Sequence, residues 1–132
     1  MPNELTTNKG SFLANINSLK PADLARSFQQ EIFLTESLIA GTSHLKDQSV
    51  LTEMSPDDRL IMVRRPDNSY DSYAIELQDT KGRKAGFIPR RQNAILARLM
   101  DAGKELYGVV NKMQHANGDY WIIELKVFMR DF

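Results

Sequence analysis

From Arg59 onward, short apolar runs and turn residues follow one another at close intervals, the pattern of a small antiparallel sheet. Leu60, Ile61, Met62 and Val63 form a short apolar run within Arg59 to Val63, read as a buried strand. Tyr73, Ile75 and Leu77 alternate with Ala74, Glu76 and Gln78, the period of two expected of a half-buried strand. Thr80-Lys81-Gly82 then supplies a hairpin turn into a strand from Lys84 to Ile88, which Pro89 ends. Ile95, Leu96, Leu99 and Met100 fall at helical spacing, and Gly103 stands where a helix is closed by glycine. Two last strands, Leu106 to Met113 and Tyr120 to Met129, are joined at Asn117-Gly118, a dipeptide suited to a type I′ turn. In the second of them Trp121, Ile123, Leu125, Val127 and Met129 share one face.

The N-terminal part is patterned differently. Residues 1–30 read as a polar arm in which Phe12, Leu13, Ile16 and Leu19 are the main apolar positions, with a helix start at Pro21-Ala22-Asp23-Leu24. The run from Glu31 to Ala40 favours strand, because Ile32, Phe33 and Thr35 precede Gly41. Thr42 to Gln48 reads as a loop and Ser55 to Asp58 as a turn. The expected organisation is therefore an arm over 1–30 and one domain over 31–132. The class is mainly β with α: six antiparallel strands in a small, partly closed barrel with one or two helices.

Composition narrows the function more than the fold. The chain of 132 residues has room for a single core, and 17 basic residues balance 17 acidic ones, so no net charge points to nucleic acid or membrane. The absence of cysteine removes disulfides and thiolate metal sites and suits a reducing compartment. With no apolar run of signal-peptide or membrane-spanning length, a soluble cytoplasmic protein is expected. Charge is nevertheless uneven: from Arg59 to Arg91 eight cationic side chains face four acidic ones, a local excess of four that suits an anionic ligand.

Catalytic patterns are missing. His44 and His115 are far apart in sequence, and neither a phosphate-binding glycine loop nor a nucleophile elbow occurs, so no catalytic residue, metal or cofactor is expected. Asp67 and Asp71 form a nominal carboxylate pair, which two readings accommodate: turn formers on a solvated loop, or a metal-dependent hydrolase. The stretch RRPDNSYD, residues 64–71, packs more hydrogen-bonding chemistry than a plain turn needs. Taken alone, its Asn68 reads as a turn residue, its Tyr70 as a ring packed on the barrel and its Asp71 as a loop cap.

An ordered series of motifs changes that balance. Ile39-Ala40-Gly41-Thr42-Ser43-His44, Arg64 to Asp71 with Ala74-Ile75, Gly86-Phe87-Ile88-Pro89-Arg90 with Asn93, and Leu96-Ala97 with Leu99 to Gly103 together resemble the HIRAN domain family across about Ile32 to Val110. The resemblance implies an OB-like barrel. It also implies recognition of the 3′ end of single-stranded DNA in repair or replication-fork processing, by a module without enzymatic activity of its own. Asp71 would accept from the terminal 3′-hydroxyl, Tyr70 would stack on a terminal base, Asn68 would help fix the backbone and Arg90 would lie near a phosphate. Phe87, Arg65, Ser43 and His44 complete the expected DNA-binding surface. Family members that bind DNA ends in eukaryotes carry a basic and then an aromatic residue where this chain has Ser43-His44, which implies weaker binding or a different ligand. Because no motor or nuclease motif accompanies the domain, activity would come from a helicase or nuclease partner. The alternative is a protein-interaction adaptor on the same barrel without DNA binding. The DNA reading needs Tyr70 exposed beside Asp71 and Arg90, while the adaptor, docking by the Phe12 to Leu19 arm or an exposed strand edge, predicts a buried Tyr70 and an apolar patch elsewhere.

Overall fold

A computed structural model of the chain describes residues 30–116 and 120–131. The N-terminal arm, the helix start at Pro21 and the Asn117-Gly118 turn expected from the sequence lie outside the described residues. Six strands form one sheet: β1 (Gln30–Leu38), β2 (Arg59–Arg64), β3 (Ile75–Gln78), β4 (Lys84–Phe87), β5 (Glu105–Ala116) and β6 (Tyr120–Asp131). A 3₁₀ turn covers Thr42–His44, and two helices, α1 (Ser49–Thr52) and α2 (Arg90–Asp101), interrupt the strands.

The sheet order is β1-β6-β5-β2-β3-β4. β2 pairs antiparallel with both β3 and β5, β3 with β4, and β5 with β6. Sheet twist then curls the two ends of this order toward each other. Just past β1, Ala40 and Phe87 exchange backbone hydrogen bonds of 2.8 and 2.9 Å, which draws β4 at the far end of the order onto the chain leaving β1. The result is the expected partly closed barrel. Closure depends on Gly86, whose φ is 146° and where a Cβ would come within 2.6 Å of the Ala40 carbonyl oxygen. A side chain there would force the two ends of the sheet apart.

The alternation read from the sequence decides which side chains fill the interior. Leu60 and Met62 of β2, Ile75 and Leu77 of β3, and Ile123, Leu125 and Val127 of β6 all point inward and are buried. Leu96 and Ala97 of α2 join this core, as do Val50 and Leu51 of the short helix α1. Each fully buried aliphatic side chain stabilises the fold by about 1.5–3 kcal/mol. α2 ends as its sequence predicts: the Gly103 N–H donates to Met100 O and the Lys104 N–H to Leu99 O, with Gly103 at φ 94°.

Several boundaries differ from the sequence reading. β3 begins at Ile75 because the N–H groups of Tyr73 and Ala74 bond back to Asp71 and belong to the preceding loop. Arg90 and Arg91, which the apolar spacing from Ile95 leaves just ahead of the helix, lie within the first turn of α2, since Pro89 occupies its N-cap position and leaves both residues free to be helical. The stretch after β1 is ordered as a 3₁₀ turn followed by α1, because Gln48 donates to the carbonyls of Thr42 and Leu45 and folds the segment on itself. β5 and β6 run beyond Met113 and Met129, since the backbone ladder continues past the apolar residues.

Candidate nucleic-acid interface

The ten residues between β2 and β3, Arg65 to Ala74, form a loop that satisfies much of its own backbone. Asn68 Oδ1 accepts from the N–H groups of Tyr70 and Asp71 at 2.9 and 3.1 Å, an Asx arrangement that reverses the chain. Asp71 Oδ1 accepts from the Tyr73 N–H at 2.9 Å. Arg64, at the end of β2, reaches under the loop and donates to the carbonyls of Ser72 and Ala74 while forking onto Asp101 of α2.

A second support comes from α2. Asn93, only 2% exposed, donates from Nδ2 to Asp71 Oδ2 at 2.6 Å. Arg90, one turn earlier, donates from Nη2 to the Tyr70 carbonyl at 3.3 Å, and its Nε stands 4.0 Å from Asp71 Oδ2. Asn93 and the Tyr73 N–H hold the Asp71 carboxyl below its ordinary range against the opposing pull of burial, and the charges of Arg90 and Arg64 add to the effect. Asp71 is thus an ionised acceptor with one bond on each oxygen and lone pairs to spare. Asn68 has given its oxygen to the loop, so its contact with a ligand would use its NH₂ donors.

The two tyrosines of the loop part company. Tyr73 turns inward against the core and accepts from Arg98 of α2 at 3.2 Å. Tyr70 is 87% exposed, which removes the packed-ring reading of that residue. Asn68, Tyr70, Asp71 and Arg90 therefore come together, and Asn93, part of the motif series but outside the expected contacts, orients the carboxylate from beneath. Its spacing of three residues from Arg90 puts both on one helix face, but nothing in that spacing points to Asp71.

Other expected residues stand apart from this cluster. Phe87 lies across the Ala40 bridge, with Lys84 Nζ 4.5 Å above its ring and Gly41 beside it. Ser43 and His44 are exposed on the 3₁₀ turn that starts from Gly41 at φ 76°, next to that same bridge. Arg65 turns onto the sheet and holds Glu76 with two bonds of 3.3 and 3.2 Å. The local excess of charge is likewise smaller than a count of residues implies. Arg59, Arg64, Arg65 and Arg83 each pair with an acid. Among the described residues no group of three or more His, Asp or Glu side chains gathers that could hold a metal ion. No helix among them is long and apolar enough to cross a membrane.

The family model of the HIRAN domain matches residues 32–128. Among solved structures, that of a protein from Lactobacillus plantarum is similar with 26% identity and a TM-score of 0.71, covering 79% of this chain and 99% of that one. The crystal structure of the HIRAN domain of human HLTF is similar with 19% identity and a TM-score of 0.60, covering 76% of this chain and 78% of that one. An NMR structure of the HLTF HIRAN domain in its DNA-bound conformation has 19% identity and a TM-score of 0.53, covering 76% and 79%. At these identities the two HLTF structures speak for the fold. No curated protein matches.

Proposed function

This chain belongs to the HIRAN domain family, and from that premise we propose that it is a non-enzymatic module that binds single-stranded DNA by its free 3′-hydroxyl end. The observation that carries the reading is the juxtaposition of a solvent-exposed Tyr70 ring with an ionised Asp71 that keeps acceptor capacity. Asp71 accepts from the terminal hydroxyl. A phosphate at the same place would be repelled, so the carboxylate separates a free end from a phosphorylated end or from the interior of a strand. Tyr70 offers its face to a base of any sequence, a contact worth about 1–3 kcal/mol. Arg90, 78% exposed along its side chain, meets a neighbouring phosphate. Phe87, Ser43 and His44, which gather at the Ala40–Phe87 bridge apart from this cluster, are assigned contacts further along the DNA strand. Arg65 contributes through the Asn68 turn, whose N–H bonds the Arg65 carbonyl, and through neutralising Glu76.

The DNA-bound form of the HLTF domain supports nucleic acid as the ligand class. A role in repair or replication-fork processing results if a helicase or nuclease partner acts on the end that the module holds. The exposure of Tyr70 favours this over an adaptor that has lost its DNA site. Fluorescence-anisotropy titration with a short single strand ending in a 3′-hydroxyl or a 3′-phosphate, at two salt concentrations, tests it. The hydroxyl strand is expected to bind more tightly at both. Equal affinity for the two ends would remove the assigned role of Asp71, and no binding to either at low salt would end the DNA reading.

A further inference from the structure

The seam of the barrel forms a second surface. β1 ends the sheet order, and beyond the Ala40–Phe87 bridge no strand among the described residues pairs with its far edge. α2 stands over the gap instead. Gln92 laces the two elements together, its Nε2 donating to the Glu36 carbonyl at 3.0 Å and its Oε1 accepting from Ser37 Oγ at 2.7 Å. Along this seam runs a groove of about 520 Å³ with Leu34 of β1 on one side and Arg91, Ala94, Ile95 and Leu99 of α2 on the other. Leu96 and Ala97 of the same helix are buried, whereas Ile95 is 74% exposed at the groove's rim.

We propose that this groove docks an extended peptide segment of a partner protein, one that carries an apolar anchor next to an acidic residue. Three features select that occupant. An edge strand facing a helix is the arrangement that takes an extended chain, with main-chain bonds on the strand outside the stretch that Gln92 holds and a side-chain pocket on the helix side. The aliphatic lining accepts an apolar anchor, and Ile95 loses exposed surface when it does so. Arg91 lies in the wall, no acidic side chain among the described residues lines the groove, and a carboxylate beside the anchor complements it. A single strand of nucleic acid is a poor fit, because no aromatic ring lines the groove for its bases to stack on. Arg90 and Arg91 are adjacent, so the docked partner is held within reach of whatever the Tyr70 loop binds. The inference does not rest on the DNA reading, since none of the groove residues belongs to the end-binding set.

Random heptapeptides displayed on phage and panned against the full chain test this. Enriched sequences are expected to pair an apolar residue with a neighbouring Asp or Glu. Made with a fluorescein label, they should lose about tenfold in affinity or more on Ile95→Asp and on Arg91→Glu, as expected for loss of an anchor contact. Ile95→Asp, a change at an exposed site, should leave thermal unfolding and DNA-end binding as they are. Enrichment of nothing that depends on Ile95, or of peptides displaced by single-stranded DNA, would overturn the proposal. So would sedimentation showing a dimer that Ile95→Asp converts to monomer, because the groove would then belong to a second copy of the chain.

Discussion

Two neighbouring connections in this barrel use the same ingredients to opposite ends. The β3–β4 hairpin, Asp79 to Arg83, and the β2–β3 loop, Arg65 to Ala74, are each organised by an aspartate with an arginine close by. In the hairpin the acid is consumed. Asp79 takes the N–H groups of Lys81 and Arg83 on one oxygen and the Arg83 guanidinium on the other, and Arg83 in turn reaches Glu53 at 2.7 Å. Burial raises the Asp79 carboxyl, but these bonds outweigh it and hold the group below its ordinary range. In the longer loop Asp71 takes two bonds, Arg90 stands off at 4.0 Å, and Tyr70 is left in solvent. A turn that satisfies itself is structure. A turn braced from below by Asn93 and Arg64, with acceptor, cation and ring left over, is the arrangement the proposed end-binding role requires.

The two aspartates should therefore respond differently to the same substitution. Asp71→Ala is expected to abolish the preference for a 3′-hydroxyl over a 3′-phosphate, a loss of about 1.5–3 kcal/mol for a hydrogen bond to a charged group, measured by anisotropy with both strands. Asp79→Ala should leave that preference intact and lower stability by about 1–3 kcal/mol in chemical denaturation, by stranding the hairpin's N–H donors. If the hairpin variant lost end preference and the loop variant did not, the distinction drawn between them would be wrong.

Tyr70→Ala should cost about 1–3 kcal/mol of affinity for any single strand while leaving the melting temperature where it is, because the ring packs on nothing. A drop in melting temperature would make Tyr70 part of the fold.

Asn93→Ala probes the bracing of the loop through pH. The folded Asp71 carboxyl lies below its ordinary 3.8, so the stability and acceptor strength that ionisation supplies are complete above that value and fade as pH falls through the folded one. Removing the Asn93 amide takes away the largest of the contributions that lower the group and leaves the Tyr73 N–H, Arg90 and Arg64 to oppose burial, so the carboxyl moves back up toward its ordinary range. End preference in the variant is therefore expected to fail at a higher pH than in the parent protein, as followed by anisotropy from neutral pH down through the ordinary aspartate range to about pH 3. Identical profiles would mean that Asn93 supports the loop without tuning the acid.

The smallest effect is expected from Arg90→Ala. Binding should weaken equally for both end types, and the slope of log affinity against log salt should shrink by about 0.7, the share of one phosphate contact on a single strand. An effect confined to one end type would instead tie Arg90 to the terminal group.

Much of the barrel was legible in the chain because alternation and punctuation are local. The face shared by Ile123, Leu125 and Val127, the strand from Lys84 ending before Pro89, and the glycine that closes α2 each follow from a few adjacent residues. The loop was legible as a cluster of chemistry, and the ordered motifs named the family. The partners were not. Arg65 reads as one more free cation until β3 brings Glu76 beside it, eleven residues away in sequence. Asn93 reads as an ordinary helix residue until α2 sets it beneath Asp71. Ser43 and His44 share a motif with Ala40, yet their place beside Phe87 exists only because the barrel closes there.

The division has a physical cause. Periodicity, turn propensity and capping act over a handful of residues, so the strands, the helix, the inward faces and a polar loop unlike a plain turn were all written in the chain itself. Whether a charged or aromatic side chain is consumed or left available depends on groups brought near by closure of the sheet and by packing of α2. Those contacts join residues far apart in sequence, as Asn93 to Asp71 and Arg64 to Asp101 do. Folding in three dimensions therefore selected which of the chain's many polar side chains were free to meet a ligand.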